Sequence, residues 1–245
     1  MPRMQARERL AVALDVPDLT SAEALIRALD GVPGWLKVGP ELFTAAGPAA
    51  VAAAARAARV FLDLKLHDIP HTVAAAVGAA VRQGAAMLTL HTMGGRAMLR
   101  AAREAAERAA GDASPPLLVG VTLLTSLGPS DLEELGVAAA SVEEQVVRLV
   151  ELALAEKLDG VVASPLEAAL IRRRAGDALT IVTPGVRPAD WPADDQTRTR
   201  SAAEAIAAGS DLLVVGRPVV RARRPAEVAR RLVREIEDGL GARHA

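Results

Sequence analysis

Short apolar runs of three to five residues recur along the chain, separated by longer alanine-rich stretches with helical spacing. The runs are Leu10–Leu14, Leu36–Val38, Val60–Leu64, Met87–Leu90, Leu117–Val121, Gly160–Ala163, Thr180–Val182 and Asp211–Val215. Their length and flanking punctuation predict strands buried on both faces. The intervening segments predict helices over Ser21–Asp30, Ala49–Ala58, Thr72–Gly84, Arg96–Ala110, Ser141–Leu158, Pro165–Ala175 and Ala202–Gly209, capped at Thr20 or Ser21 and stopped at Gly84 and Gly209. A last helix spans roughly Pro225–Leu240, with Gly241–Ala245 fraying. Eight βα units without a composition break predict an α/β protein, a single (β/α)₈ TIM barrel occupying residues 1–245. Alternation alone does not establish closure, so an open doubly wound sheet fits the same pattern.

The polar residues favour the barrel. Asp15, Lys37, Asp63, Lys65, His91, Thr122, Thr125, Ser164, Pro184 to Arg187, and Gly216-Arg217 all fall within or just after predicted strands. In a barrel they collect at the C-terminal mouth, where such folds place their chemistry. Between Pro184 and Arg200 no helix or strand pattern appears, and prolines stand at 184, 188 and 192. A structureless stretch of this length predicts a lid, with Trp191 as its apolar strut.

Composition narrows the function. The formal charge of −1 argues against a dedicated nucleic-acid binder, and the absence of cysteine excludes disulfides, thiolate metal sites and a cysteine nucleophile. His67, His71, His91 and His244 are too few and too scattered for a zinc cluster. No apolar run approaches a membrane span, and the N-terminal stretch lacks an apolar signal region, so a soluble cytoplasmic protein is expected. There are 53 alanines, which makes much of the hydrophobic content weakly hydrophobic and helix-favouring. Among 29 basic residues only Lys37, Lys65 and Lys157 are lysine. Where arginine is the default cation, a lysine marks a place for a compact ammonium that can release a proton.

Asp63 and Lys65 stand two apart on a predicted strand, so their side chains share a face, with Lys37 on the neighbouring strand as a third member. Asp68 and Thr72 follow at the strand-to-helix turn. Burying such ions costs several kcal/mol each unless they are paired. An opposite charge at ~4 Å and an effective dielectric of ~20 returns about 4 kcal/mol, so alternating signs can hold one another and fix an ammonium at one point. A lone pair of this kind reads as a structural ion pair at a barrel rim. Lysine scarcity, strand phase and mouth position point instead to chemistry. Gly216-Arg217-Pro218 after the eighth strand suits an anion at a helix start, with Arg187 on the adjacent loop. The arginines of the last helix, balanced by Glu227, Glu235 and Glu237, read as a solvated face; His91 reads equally as a rim hydrogen-bonder or a ligand, and His67 as packing or bonding locally.

The run Asp63-Leu64-Lys65-Leu66-His67-Asp68-Ile69-Pro70 resembles the Asp-x-Lys-x-x-Asp-Ile-Pro signature of the orotidine 5′-phosphate decarboxylases. The likeness continues in order through Leu14-Asp15-Val16, Leu36-Lys37-Val38-Gly39, Val121 to Ser126, Thr183 to Pro188, Asp194 to Arg198 and Val215 to Pro218. It departs at His71, where the family has asparagine more often, and at Ser201-Ala202-Ala203, which replaces Thr-Pro-Ala. The resemblance implies decarboxylation of orotidine 5′-phosphate to uridine 5′-phosphate, the last step of pyrimidine nucleotide synthesis, without a cofactor or metal. It implies Lys65 as proton donor to C6 within a Lys37-Asp63-Lys65-Asp68 network, and Asp15 and Lys37 on the ribose hydroxyls. Thr125 would contact the base, Gln196 would bridge base and phosphate, and Pro184, Arg187, Gly216 and Arg217 would serve the phosphate end. It further implies a homodimer with shared active sites, in which Asp68, Ile69 and Thr72 reach the partner's site. The central signature also occurs in metal-dependent phosphosugar decarboxylases and lyases of the same superfamily, and a non-catalytic nucleotide-binding barrel is the remaining alternative.

Overall fold

Eight parallel strands close into a barrel in the order β1 to β8, with β8 hydrogen-bonded back to β1. The computed structural model describes residues 5–187 and 200–244. The strands are β1 Leu10–Ala13, β2 Trp35–Val38, β3 Arg59–Leu66, β4 Met87–His91, β5 Leu117–Val121, β6 Gly160–Val162, β7 Thr180–Thr183 and β8 Leu212–Val215. All eight predicted strands form, and closure removes the open-sheet alternative.

Side chains alternate across each strand, so one strand feeds two cores. Ala11, Ala13, Trp35, Phe61, Met87, Val119, Val182, Leu212 and Val214 pack together inside the barrel. Their neighbours Leu10, Val12, Leu36, Leu62, Leu88, Leu118, Val161, Ile181 and Leu213 face outward into the layer under the helices. The same alternation puts Asp63 and Lys65 on the inner face with Phe61, while Leu62, Leu64 and Leu66 face outward.

The helices are α1 Leu19–Ala28, α2 Pro40–Ala46, α3 Pro48–Ala55, α4 Pro70–Arg82, α5 Gly95–Ala110, α6 Pro129–Glu134, α7 Val142–Ala155, α8 Ala168–Ala175, α9 Ala202–Ala207, α10 Arg217–Val220 and α11 Pro225–His244. Several differ from the pattern-based reading. The cap of α1 is Asp18, whose carboxylate accepts from the Ser21 N–H at 2.7 Å, so the helix starts before Thr20. The predicted Pro165 start gives way to Ala168, because Ser164 to Glu167 form a separate turn in which the Ser164 N–H donates to Glu167 Oε2. Short α2, α6 and α10, each opened by proline at its first or second position, are too brief to show a periodicity. Residues 241–244 continue α11 rather than fraying. No helix among the described residues is long and apolar enough to cross a membrane.

At the N-terminal end of the barrel, Asp211 gathers three guanidiniums. Its carboxylate pairs with Arg9 at 3.6 Å and Arg243 at 3.4 Å, and with Arg172, while accepting from the Ile181 N–H at 2.9 Å. One side chain thus ties the segment before β1 to α8, β7 and α11. Asp211→Ala leaves those cations facing one another, and is expected to cost about 3 kcal/mol. For a chain of this length that lowers the melting midpoint by roughly 6–12 °C, measurable by calorimetry.

Candidate active site

The barrel mouth holds a cavity of about 280 Å³ whose lining comes from several strand ends. Asp15, Lys37, Asp63 and Lys65 line one part, from β1 to β3. Pro184, Gly185 and Arg187 after β7, with Gly216 and Arg217 after β8, line another. Apolar atoms of Ala13, Phe61, Val121, Leu123, Val162 and Val214 supply much of the rest, and Thr125 is contributed by the loop after β5.

Charge alternates through the first group. Lys37 Nζ lies 3.2 Å from Asp15 Oδ1 and 3.4 Å from Asp63 Oδ2. Lys65 Nζ donates to both carboxylate oxygens of Asp63, at 2.9 and 3.0 Å. Asp63 is only 7% exposed. Burial pushes its carboxyl upward, but Lys37, Lys65 and the hydrogen bonds from Lys65 and Thr89 outweigh that penalty, so it titrates below the ordinary carboxylate range. The carboxylate is ionised at neutral pH and holds two ammoniums beside the cavity.

The strand that carries this pair is irregular. Between its pairings with Leu88 and Leu90 of β4, β3 uses the span from Leu62 to Leu66, four residues against two. Because the excess is even, the alternation of faces survives the bulge. Lys65 stands at φ +50, the left-handed region that a branched-free side chain adopts at a cost. Its N–H donates to Thr89 Oγ1 at 2.8 Å, and Thr89 Oγ1 donates to Asp63 Oδ1 at 2.9 Å. Thr89 attracted no attention in the sequence, because a threonine inside an apolar strand has the look of a packing residue. Gly39, named in the sequence only within the run Leu36-Lys37-Val38-Gly39, has a packing reason there: a Cβ would sit 2.8 Å from Lys37 Nζ and 3.2 Å from Asp15 Oδ1. Only a glycine lets Lys37 lie where it does.

Other sequence-selected residues divide. Thr125, Pro184, Arg187, Gly216 and Arg217 reach the cavity. The ends of the predicted lid meet: the Arg187 N–H donates to the Arg200 carbonyl at 3.0 Å, and Val186 bridges to Arg200. Gln196 and Trp191 lie outside the described residues. Asp68, Ile69 and Thr72 do not line this chain's cavity; they are exposed around the start of α4, where Asp68 accepts from the Ile69 N–H at 2.6 Å. Thr122 and Ser164 are buried in structural bonds, to the Val162 carbonyl and the Leu166 N–H. His91 stacks at a tilt on His67, ring centroids 5.2 Å apart. Burial, then the neighbouring His67 and Lys65, lower its basicity below the ordinary histidine value.

A closed barrel with lysines and carboxylates in one part of its mouth and arginines in another defines a (β/α)₈ enzyme with a charged centre and an anion-accepting end. The chain belongs to the orotidine 5′-phosphate decarboxylase / HUMPS family, whose profile it matches over residues 8–232. It is 50% identical over 240 residues to the orotidine 5′-phosphate decarboxylase of Syntrophotalea carbinolica, covering 97% of this chain and 98% of that protein. Identity to the enzyme of the same name from Moorella thermoacetica is also 50%, over 241 residues, 97% of this chain and 95% of the other. The crystal structure of orotidine 5′-phosphate decarboxylase from Lactobacillus acidophilus superposes with a TM-score of 0.83 at 31% identity, covering 94% of this chain and 99% of that one.

Proposed function

We propose that this protein decarboxylates orotidine 5′-phosphate to uridine 5′-phosphate and CO₂, with Lys65 as the proton donor. The observation that carries the mechanism is the Lys65 ammonium, which donates two hydrogen bonds to one buried carboxylate at the edge of the mouth cavity. Cleavage of the bond from C6 to its carboxylate leaves the electron pair in an sp² orbital orthogonal to the ring π system, where resonance cannot disperse it. A preorganised cation beside C6 stabilises that pair as it forms, a gain made only in the transition state. Lys65 Nζ then delivers a proton to C6, and solvent restores the ammonium. Asp63 positions the cation. No cofactor enters the scheme.

Asp15 and Lys37, paired at 3.2 Å, suit the ribose hydroxyls, one accepting and one donating. Arg187, Gly216 and Arg217 suit the phosphate, since arginine forms bidentate charge-assisted bonds and the glycine leaves backbone N–H groups accessible. Thr125 contacts the base in this scheme, Pro184 lines the phosphate end, and Gln196 bridges base and phosphate from the lid. The chain acts as one barrel domain over residues 1–245, in the cytoplasm, as a homodimer in which Asp68, Ile69 and Thr72 of one copy complete the other's site. The exposure of Ile69, at 66%, supports that arrangement, because a large apolar side chain so open gains by being covered.

Incubation with orotidine 5′-phosphate while following loss of its ultraviolet absorbance tests the reading. Turnover that persists in excess chelator is expected. Absence of CO₂ release would overturn the proposal, and turnover that chelation abolishes would favour the metal-dependent phosphosugar branch of the family.

A further inference from the structure

We infer that Thr89 is a positioning residue for the reaction: its hydroxyl joins the bulged backbone at Lys65 to the carboxylate of Asp63 and so sets where the ammonium stands. The inference rests on the decarboxylase reading above. Three features of β3 and β4 carry it. The Lys65 N–H donates at 2.8 Å to Thr89 Oγ1, a side-chain acceptor on the neighbouring strand. The same oxygen donates at 2.9 Å to Asp63 Oδ1, leaving Oδ2 to Lys37 and both oxygens to Lys65. Thr89 is 1% exposed, so water does not compete for either bond.

The bulge needs such a tie. A non-glycine residue at φ +50 is held there only by its surroundings. Behind the bulge the packing is incomplete, since Leu62, Leu64, Leu66, Phe43 and Thr89 border a cavity of about 170 Å³ under α4. Side chains bordering an open pocket press weakly on the strand. A β-branched hydroxyl restricted at χ1 can therefore fix what the apolar layer leaves loose. One donor and one acceptor function of a single oxygen are both used, so the position of the peptide and that of the carboxylate are set together. Lys65 is then constrained at both ends, by its N–H and through Asp63 at its ammonium.

The charged groups facing Asp63 are Lys37 from β2 and Lys65 from its own strand; Asp15 after β1 bonds Lys37, and His91 of β4 with His67 lies beside Lys65. The Thr89 bond helps to hold Asp63 ionised, alongside the two lysines. Removing it raises the pH at which Asp63 protonates, which shifts the acid limb of kcat upward.

The test is Thr89→Val, which keeps the shape and deletes both hydrogen bonds, beside Thr89→Ser, which keeps the hydroxyl. The expected kcat for valine is lower by about 10–100-fold, less than the loss of a donor that meets the developing charge itself. Affinity for uridine 5′-phosphate should change less than about threefold, separating positioning from binding. Serine should recover most of the lost kcat and return the acid limb toward that of the unsubstituted chain. Thr89→Ala, which introduces no buried methyl branch against Asp63, reads the same loss if valine disturbs folding. A valine or alanine variant with undiminished kcat and an unshifted acid limb overturns the inference, as does a serine variant as slow as valine. If the unsubstituted chain releases no CO₂ at all, it is the decarboxylase reading that fails, not the role of Thr89 within it.

Discussion

Lys65→Ala is expected to lose at least about 10⁴-fold in kcat on orotidine 5′-phosphate while remaining folded and binding uridine 5′-phosphate. The magnitude combines two losses: a positioned general acid contributes about 10²–10⁴-fold. A preorganised charge at the developing anion contributes about 10²–10³-fold. Folding survives because Asp63 keeps Lys37 at 3.4 Å and the Thr89 hydroxyl at 2.9 Å, so its carboxylate is not left buried without a cation. Lys65→Arg is expected to fail nearly as badly. A guanidinium retains its proton and is planar, so it offers neither the proton nor the compact charge. Single-turnover absorbance measurements with near-stoichiometric enzyme check both variants. Turnover of Lys65→Ala within tenfold of the unsubstituted chain would remove the ammonium from the mechanism.

Orotidine without its phosphate is expected to react with kcat/KM lower by about 10⁴–10⁶-fold, the equivalent of three or four charge-assisted hydrogen bonds at about 1.5–3 kcal/mol each, discounted for the solvation that the phosphate loses. The loss should appear in kcat as well as in KM. Arg187 after β7 and Arg217 at the start of α10 line the same cavity as Lys65, and in the proposed scheme they meet the phosphate rather than the reacting C6. Contacts remote from the reacting bond raise the rate only if they help to assemble or close the site. Arg187, three residues into the stretch predicted as a lid, donates its N–H to the carbonyl of Arg200 at the end of that stretch. Equal kcat for nucleoside and nucleotide, with only KM changed, would leave the phosphate end as an anchor with no part in catalysis.

Much of the site was legible because strand period and charge are local properties. A spacing of two predicts a common face for Asp63 and Lys65, and they share one. The reason is less simple than the spacing suggests, since the strand between them is bulged and an even excess of residues preserved the phase. Lys37 was selected from its rarity and stands within ion-pair distance of Asp63. Arg187, Gly216 and Arg217 followed from their position after the last two strands. The shorter helices did not show, because α2, α6 and α10 have too few residues for a periodicity to emerge above the alanine background. The cap at Asp18 falls two or three residues before the expected one for a related reason: Asp18, Thr20 and Ser21 all carry oxygens able to cap, and only the path of the chain selects among them.

By itself, the order of residues determined the eight strands, the face each side chain takes, and which cations could release a proton. These are consequences of backbone alternation and side-chain chemistry, which act over a few residues. Closure of the sheet depends on β8 finding β1 across some 200 residues, so the tertiary fold alone decided it. It also decided the left-handed turn at Lys65, the use of Thr89 as its tether, and the need for Gly39 beside Lys37. Each of these arises where atoms distant in the chain are forced within hydrogen-bonding or van der Waals reach, a condition that no local pattern encodes.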